Sequence, residues 1–174
     1  CLRGNSFLFS NTTTGQTTNN WSFGDTTFSA LSSPAAKSYL YIGAKSVKLV
    51  TSSAFGCKDS ITKNIDIRPH PISGFTIDKT SQCLSGNSFV FTNTSSGQSA
   101  NNWNFGDTTF SALATPAAKN YLYSGSKSVK LVIITTYGCE DSISKMVTVY
   151  PQPSALFLVN DTNQCKNDNE FKFT

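Results

Sequence analysis

The sequence is poor in the residues that carry most protein chemistry. Charged side chains make up only 14% of its 174 residues, the net charge is +4, and His70 is the single histidine. The positive charges do not cluster, which argues against binding of nucleic acid or of an acidic membrane surface. A hydrolase needs a nucleophile beside a base, or two convergent carboxylates. The sequence shows neither pattern. We therefore expect no catalytic residues, no cofactor and no nucleic-acid partner.

Long hydrophobic runs and helix patterns are also missing. No stretch approaches the roughly 18 apolar residues of a membrane-spanning helix, so we expect no membrane span in this segment. No segment carries a 3.6-residue apolar stripe over three turns, whereas short alternating runs are common. Trp21 and Phe23 form one such pair, and Val47 and Leu49 form another around the outward Lys48. Turn residues separate these runs, a pattern typical of an all-β sandwich.

What the sequence does have is one long repeat without insertions. About 48 of the 82 positions are identical between residues 1–82 and 83–164. A period of this length is one small domain, longer than a solenoid turn. The chain has no initiating methionine and stops early in a third copy. We expect it to be a piece of a longer repetitive polypeptide, with any signal or anchor elsewhere.

Two Pro-x-Pro stretches predict where one domain ends and the next begins. They lie at Pro69–Pro71 and Pro151–Pro153. Proline fixes φ and removes a backbone donor, so both stretches are interpreted as short, stiff linkers. Residues 1–69 are then module one, a domain without its first strand. Residues 70–151 are module two, a complete domain, and residues 152–174 hold the first two strands of a third.

The five cysteines recur at matched positions. Each repeat has one cysteine before a Phe-x-Phe run and another in a Gly-Cys dipeptide later in the repeat, so the set is Cys1, Cys57, Cys83, Cys139 and Cys165. Pairing within a module predicts Cys1–Cys57 and Cys83–Cys139, and it leaves Cys165 for a partner beyond residue 174. Zinc is the alternative, but its ligand pairs usually lie two to four residues apart. Disulfides imply an exported protein in an oxidising location.

One motif suggests a family. Trp21-Ser-Phe23-Gly24-Asp25 and its copy Trp103-Asn-Phe105-Gly106-Asp107 resemble the Trp-x-Phe-Gly-Asp signature of PKD domains, named for the polycystic kidney disease protein. The run from Pro34 through Tyr39 to Val50 resembles the family's next conserved stretch. Lys37 and Thr26 stand where the family usually has histidine and glycine. The resemblance implies tandem immunoglobulin-like (PKD-type) β-sandwich domains, with the tryptophans in the core and the aspartates at a tight turn.

The cysteine positions narrow the resemblance. They make the repeats similar to tandem PKD modules of giant Bacteroidetes surface proteins, including gliding-motility adhesins exported by the type IX system. Those bacteria attach O-glycans at Asp-Ser or Asp-Thr before a small or aliphatic residue. The hydroxyls that match are Thr26, Ser60, Thr108 and Ser142. Ordinary turn residues are the alternative interpretation of this short pattern.

Calcium is a further alternative, because some PKD modules bind it near their ends. The acidic residues near the linkers are few: Asp78, Asp161 and Asp168. We expect no metal site. His70 is interpreted as a solvated linker residue, because Gln152 replaces it in the next copy.

The expected function is structural: an extracellular, cell-surface array of rigid modules in the stalk or filament of an adhesin. Its immediate partners would be neighbouring repeats of the same chain, and surface polysaccharide or other cells would be bound by other regions. The alternative is a carbohydrate-binding or spacer region of a secreted multidomain hydrolase, in which an exposed tryptophan binds polysaccharide. Lateral self-assembly into a sheath is a third hypothesis.

Overall fold

The computed structural model describes residues 1–163, 165–167 and 170–173, and every regular element in them is a β-strand. Within that part of the chain, no helix is long and apolar enough to cross a membrane. The strands are β1 Thr18–Ser22, β2 Phe28–Ser29, β3 Gly43–Ser52, β4 Lys58–Ile67, β5 Phe75–Ile77, β6 Ser81–Cys83, β7 Phe91–Asn93, β8 Ala100–Asn104, β9 Phe110–Ser111, β10 Gly125–Ile134 and β11 Glu140–Tyr150.

The strands form the sheets of β-sandwiches, which confirms the all-β prediction. Module one has an antiparallel sheet in the order β2-β1-β3-β4. Module two repeats this sheet as β9-β8-β10-β11 and adds β6, which pairs in parallel with the end of β11. A second layer in module two is the antiparallel pair β5-β7. The long hairpins β3-β4 and β10-β11 run the length of each module.

Alternation of apolar and polar residues decides which face of each sheet is buried. Because successive side chains of a strand point to opposite faces, Val129, Leu131 and Ile133 all enter the core of module two, and each is fully buried. Trp103 on β8 is directly opposite Leu131. Trp21 and Leu49 have the same register in module one. The predicted inward positions of the tryptophans and of Val47 and Leu49 are confirmed.

The two modules have separate cores of unequal completeness. In module two, Phe75 from β5 packs edge-on against Trp103 at a ring distance of 5.1 Å, and Phe91 packs beside both. Module one has no counterpart of β5 among residues 1–69. Its Phe9, the counterpart of Phe91, is therefore only half-buried and outside any strand. The smaller core of module one follows from this missing strand.

We expect Trp103→Ala to lower the free energy of unfolding of module two by about 3–5 kcal/mol, the usual cost of removing a buried large aromatic side chain. Trp103 is 1% exposed, and its indole N–H donates to the Leu113 carbonyl at 3.0 Å. Chemical denaturation under oxidising conditions measures the change. Phe110→Ala is the control, because Phe110 is 71% exposed and its loss should cost little.

The same experiment tests the polysaccharide alternative. A buried indole cannot act as a stacking platform for sugars, so Trp103 fluorescence, recorded in a Trp21→Phe background, should not respond to polysaccharide. A stable Trp103→Ala protein that lost polysaccharide binding would contradict the core assignment.

Candidate functional site: the joint between the modules

A disulfide bond crosses from module one to module two. It joins Cys1 to Cys139, with 5.6 Å between the Cα atoms and a sequence separation of 138. Cys139 lies in the turn between β10 and β11 and is 1% exposed. Cys1 lies at the other end of its own module, where the Leu2 amide donates to the Arg68 carbonyl just after β4. The bond thus ties the end of one module to the beginning of the next.

The predicted pairing within modules, Cys1–Cys57 and Cys83–Cys139, is wrong. Cys57 directly precedes β4, whereas Cys1 lies beside the residue that follows it. Ten residues of extended strand span roughly 33 Å, and a disulfide needs Cα atoms within about 7 Å. In module two, β11 separates Cys139 from Cys83 in the same way, because Cys83 pairs with Tyr150 at the far end of that strand. Among the described residues, Cys57, Cys83 and Cys165 are free and exposed.

Arg68 reinforces the disulfide from the linker side. Its guanidinium lies over the ring of Tyr137 at 4.1 Å from the centroid, and it also pairs with Asp66 at 2.8 Å. Tyr137 is two residues before Cys139, in the same turn. A stacked guanidinium–aromatic contact contributes about 0.5–1 kcal/mol at an exposed site. The contact and the disulfide hold the same two chain segments together.

Asp141 holds the other end of the linker. Its carboxylate accepts hydrogen bonds from the Ser73 amide and hydroxyl, both at 2.8 Å, and these bonds hold the pKa of Asp141 below its usual value. Arg3 of module one lies 4.0 Å from the same carboxylate. His70 lies beside Asp141, is half-buried and has Nδ1 2.8 Å from the Pro71 carbonyl oxygen. The interpretation of His70 as a solvated linker residue is corrected in part: the residue lies in the linker, but it is half-buried in the joint.

The Trp-x-Phe-Gly-Asp motif forms the core and turn that its resemblance implied. Trp21 and Phe23 are buried with their rings parallel at 6.3 Å, and Trp103 and Phe105 repeat this geometry. Gly24 has a φ of 73°, and a Cβ there would lie 2.8 Å from backbone atoms of Ser46. Gly106 is confined in the same way against Ser128. Any larger residue at these two glycines would separate the turn from the neighbouring strand.

The aspartate of the motif binds Lys37, which the sequence showed only as a departure from the family pattern. The Asp25 carboxylate contacts Lys37 Nζ at 2.8 Å and accepts the Thr27 hydroxyl at 2.5 Å. Burial raises the pKa of Asp25, but the bonds from Lys37 and Thr27 outweigh it, so the pKa lies below its usual value. Tyr39 completes the cluster by donating to the Phe23 carbonyl at 2.9 Å.

Module two has the same cluster, formed by Asp107, Lys119 and Tyr121. The lowered carboxyl pKa stabilises the fold above the unfolded value of about 3.9. That contribution is lost as the pH falls through the lower folded value. The available sequence signal was the recurrence of Asp25 and Lys37 as Asp107 and Lys119, with the same spacing in both modules.

The four candidate glycosylation residues are all exposed. Thr26 and Thr108 follow the motif aspartates in the turn, and Ser60 and Ser142 lie near the starts of β4 and β11. Asp78 and Asp161 are exposed as well, whereas Asp168 lies outside the described residues. Across the described ranges, no group of three or more His, Cys, Asp or Glu side chains is placed to hold a metal ion.

Large apolar side chains are exposed at matching positions of the two modules, so the surface chemistry repeats with the fold. The pairs are Phe28 and Phe110, Leu31 and Leu113, Leu40 and Leu122, and Tyr41 and Tyr123.

We expect Thr108→Gly to raise the free energy of unfolding, by up to about 2 kcal/mol. Thr108 has a φ of 69°, a left-handed conformation that is unusual for a β-branched residue and costs roughly 1–3 kcal/mol. Glycine removes this strain. Its greater conformational freedom in the unfolded chain lowers the free energy of unfolding by about 0.5–1 kcal/mol, which offsets part of the gain. The matched control is Thr136→Gly, in a turn where φ is not positive, which should destabilise. Equal effects of the two variants on the denaturation midpoint would contradict the strain argument.

We also expect glycans on Thr26, Ser60, Thr108 and Ser142 in native material, because each hydroxyl is accessible. The intact mass should exceed the chain mass of 18.8 kDa by regular hexose-scale increments. Recovery of all four Asp-Ser or Asp-Thr peptides unmodified from the native organism would dismiss the hypothesis.

Comparisons with known proteins gave solved structures only: no protein-family model matches the chain, and no curated protein matches it. The PKD1 domain of the Vibrio cholerae metalloprotease PrtV is 27% identical, over 47% of this chain and 99% of that domain, with a TM-score of 0.40. The PKD1 domain of Vibrio anguillarum Epp is 20% identical, over 48% of this chain and 98% of that domain, with a TM-score of 0.41. The fibronectin(III)-like modules of Clostridium thermocellum CbhA are 13% identical, over 85% and 87% of the two chains, with a TM-score of 0.45. The chain is thus similar in structure to PKD and fibronectin(III)-like β-sandwich domains.

Proposed function

We propose that this chain is part of a tandem array of PKD-type modules that forms the stalk or filament of an extracellular, cell-surface adhesin. Its role is mechanical and non-catalytic, and its direct partners are neighbouring repeats. Attachment to surface polysaccharide or other cells belongs to regions outside these repeats. The array is of the kind that gliding Bacteroidetes export through the type IX system, consistent with the resemblance of the repeats and with the exposed Ser and Thr residues of the Asp-Ser and Asp-Thr pairs in each module.

The disulfide between Cys1 and Cys139 is the observation that carries this proposal. A spacer that only separates domains needs a linker, and a flexible linker is sufficient. Here the linker is short and proline-bounded, and a covalent bond beside it prevents the two modules from hinging apart. Closing a loop of this length contributes about 5 kcal/mol in the chain-entropy account. A joint stabilised in this way suits a structure that must transmit force without bending.

The disulfide also determines which parts of the chain bear a pulling force. Tension applied at the two chain ends enters at Cys1 and crosses the disulfide directly to Cys139. The core strands of module one and β10 of module two lie inside the closed loop and are not stretched. Only the segment after Cys139 remains in series with the load. The core of module one is thereby protected from forced unfolding, whereas β11, which supplies Val147 and Val149 to the core of module two, bears the load.

We expect single-molecule stretching between the two chain ends to show this protection. Under oxidising conditions, only about 35 residues lie beyond the loop, so the maximum extension is roughly 120 Å at about 3.5 Å per residue. Reduction frees the whole chain and raises the maximum to roughly 600 Å. The control is Cys1→Ser, which should reach the longer value without reductant, whereas Cys57→Ser should behave as the unaltered protein.

The same measurement distinguishes the alternative pairing. Disulfides within each module would leave about 61 residues free, for a maximum of roughly 210 Å. An extension near that value would refute the clamped joint and, with it, the mechanical argument. Free hinging of the modules under oxidising conditions, seen as variable end-to-end distances at low force, would favour a simple spacer in a secreted hydrolase.

A further inference from the structure

Cys83 occupies in module two the place that Cys1 occupies in module one. The Leu84 amide donates to the Tyr150 carbonyl at 2.8 Å, as the Leu2 amide does to Arg68. An asparagine side chain holds the segment that follows each of these two cysteines. Asn87 Nδ2 donates to the Leu84 and Tyr121 carbonyls, and Asn5 Nδ2 donates to the corresponding carbonyls of module one. The same scaffold therefore presents Cys83, which is free and exposed.

Cys57 occupies in module one the place of Cys139. In both turns the cysteine follows a glycine of positive φ, 81° at Gly56 and 73° at Gly138. The Cys57 amide donates to the Ser53 hydroxyl at 3.2 Å, and the Cys139 amide donates to the Thr135 hydroxyl at 3.0 Å. Cys139 is buried by its bond across the joint, whereas Cys57 is exposed.

Two aromatic residues beside these cysteines point to a missing neighbour. Phe55 matches Tyr137 in the repeat and is 95% exposed, and Tyr150 matches Arg68 and is 54% exposed. At the observed joint, the residues in these two positions stack on each other at 4.1 Å. A joint built from Tyr150 on one side and Phe55 on the other would bring two aromatic rings together in place of a guanidinium and a ring.

We propose that Cys83 and Cys57 are the two halves of a second inter-module disulfide of the same design. Cys83 bonds to the Gly-Cys turn of the module that follows, and Cys57 bonds to the first cysteine of the module that precedes. The Cys57 and Cys83 of these two modules cannot bond to each other, because β4, the linker and module two separate them in space. The proposal rests on the proposed function, since it extends the clamp from one joint to every joint of the array.

Formation of the bond needs a disulfide oxidant such as oxidised glutathione. The Cys83 thiolate attacks a glutathione sulfur, forms a mixed disulfide and releases one glutathione. The Cys57 thiolate of the neighbouring module then attacks the Cys83 sulfur and releases the second glutathione. Two protons and two electrons pass from the cysteines to glutathione.

An in-register tandem of this chain tests the proposal. Residues 1–164 are two full periods, so joining them to a second copy of residues 1–174 continues the repeat without a break and places Cys57 of copy two where the partner of Cys83 is expected. Cys57→Ser in copy one and Cys83→Ser in copy two leave a single candidate pair. After refolding with oxidised and reduced glutathione, we expect a tryptic peptide that links Cys83 to Cys57, and one free thiol, at Cys165.

The matched control exchanges the two substitutions, Cys83→Ser in copy one and Cys57→Ser in copy two. It has the same cysteine count, but its Cys57 and Cys83 lie at opposite ends of the tandem, so we expect three free thiols and no such peptide. Alkylated Cys83 in the test tandem, with Cys1–Cys139 intact in both copies, would overturn this inference alone. Absence of Cys1–Cys139 as well would overturn the proposed function.

Discussion

Each module keeps its two cysteines at opposite ends of a long strand, and most of the architecture depends on this separation. The strands β4 and β11 are ten and eleven residues long, so the cysteines of one module cannot reach each other. At the joint, Cys1 of module one bonds instead to Cys139 of module two. The joint, in which Arg68 stacks on Tyr137 and Ser73 donates hydrogen bonds to Asp141, lies beside this inter-module bond.

The two cores show what a single strand contributes to a sandwich. Module two receives β5, which packs Phe75 against both Phe91 and Trp103. Module one has the same sequence motif and the same sheet order but no such strand, and its Phe9 stays half-buried. Burial of the tryptophans nevertheless differs by only a few per cent of their surface. The long hairpin and the β1 or β8 strand beside it are therefore sufficient to position the motif.

The fold was largely predictable from the sequence, because alternation and turn residues act locally. Trp21, Phe23, Val47 and Leu49 are buried as their alternation indicates, and the glycines of the motif lie where no Cβ fits. The disulfide was not predictable from the same patterns. Pairing within modules and pairing between modules both recur once per repeat, so cysteine spacing cannot distinguish them. The length of β4 distinguishes them, and that length depends on strand pairing.

Ring closure has a consequence for resistance to proteolysis. Cys1 and Cys139, at a sequence separation of 138, close a covalent ring, so a protease that cuts one peptide bond inside it leaves both fragments attached. In an array clamped at every joint, each ring begins one repeat after the preceding ring begins. Because a ring is longer than one repeat, neighbouring rings overlap. Every internal peptide bond therefore lies within at least one ring. One cut then never severs the filament, and loss of the distal part requires several cuts close together. A protease would have to degrade such a protein module by module, while the rest remained linked.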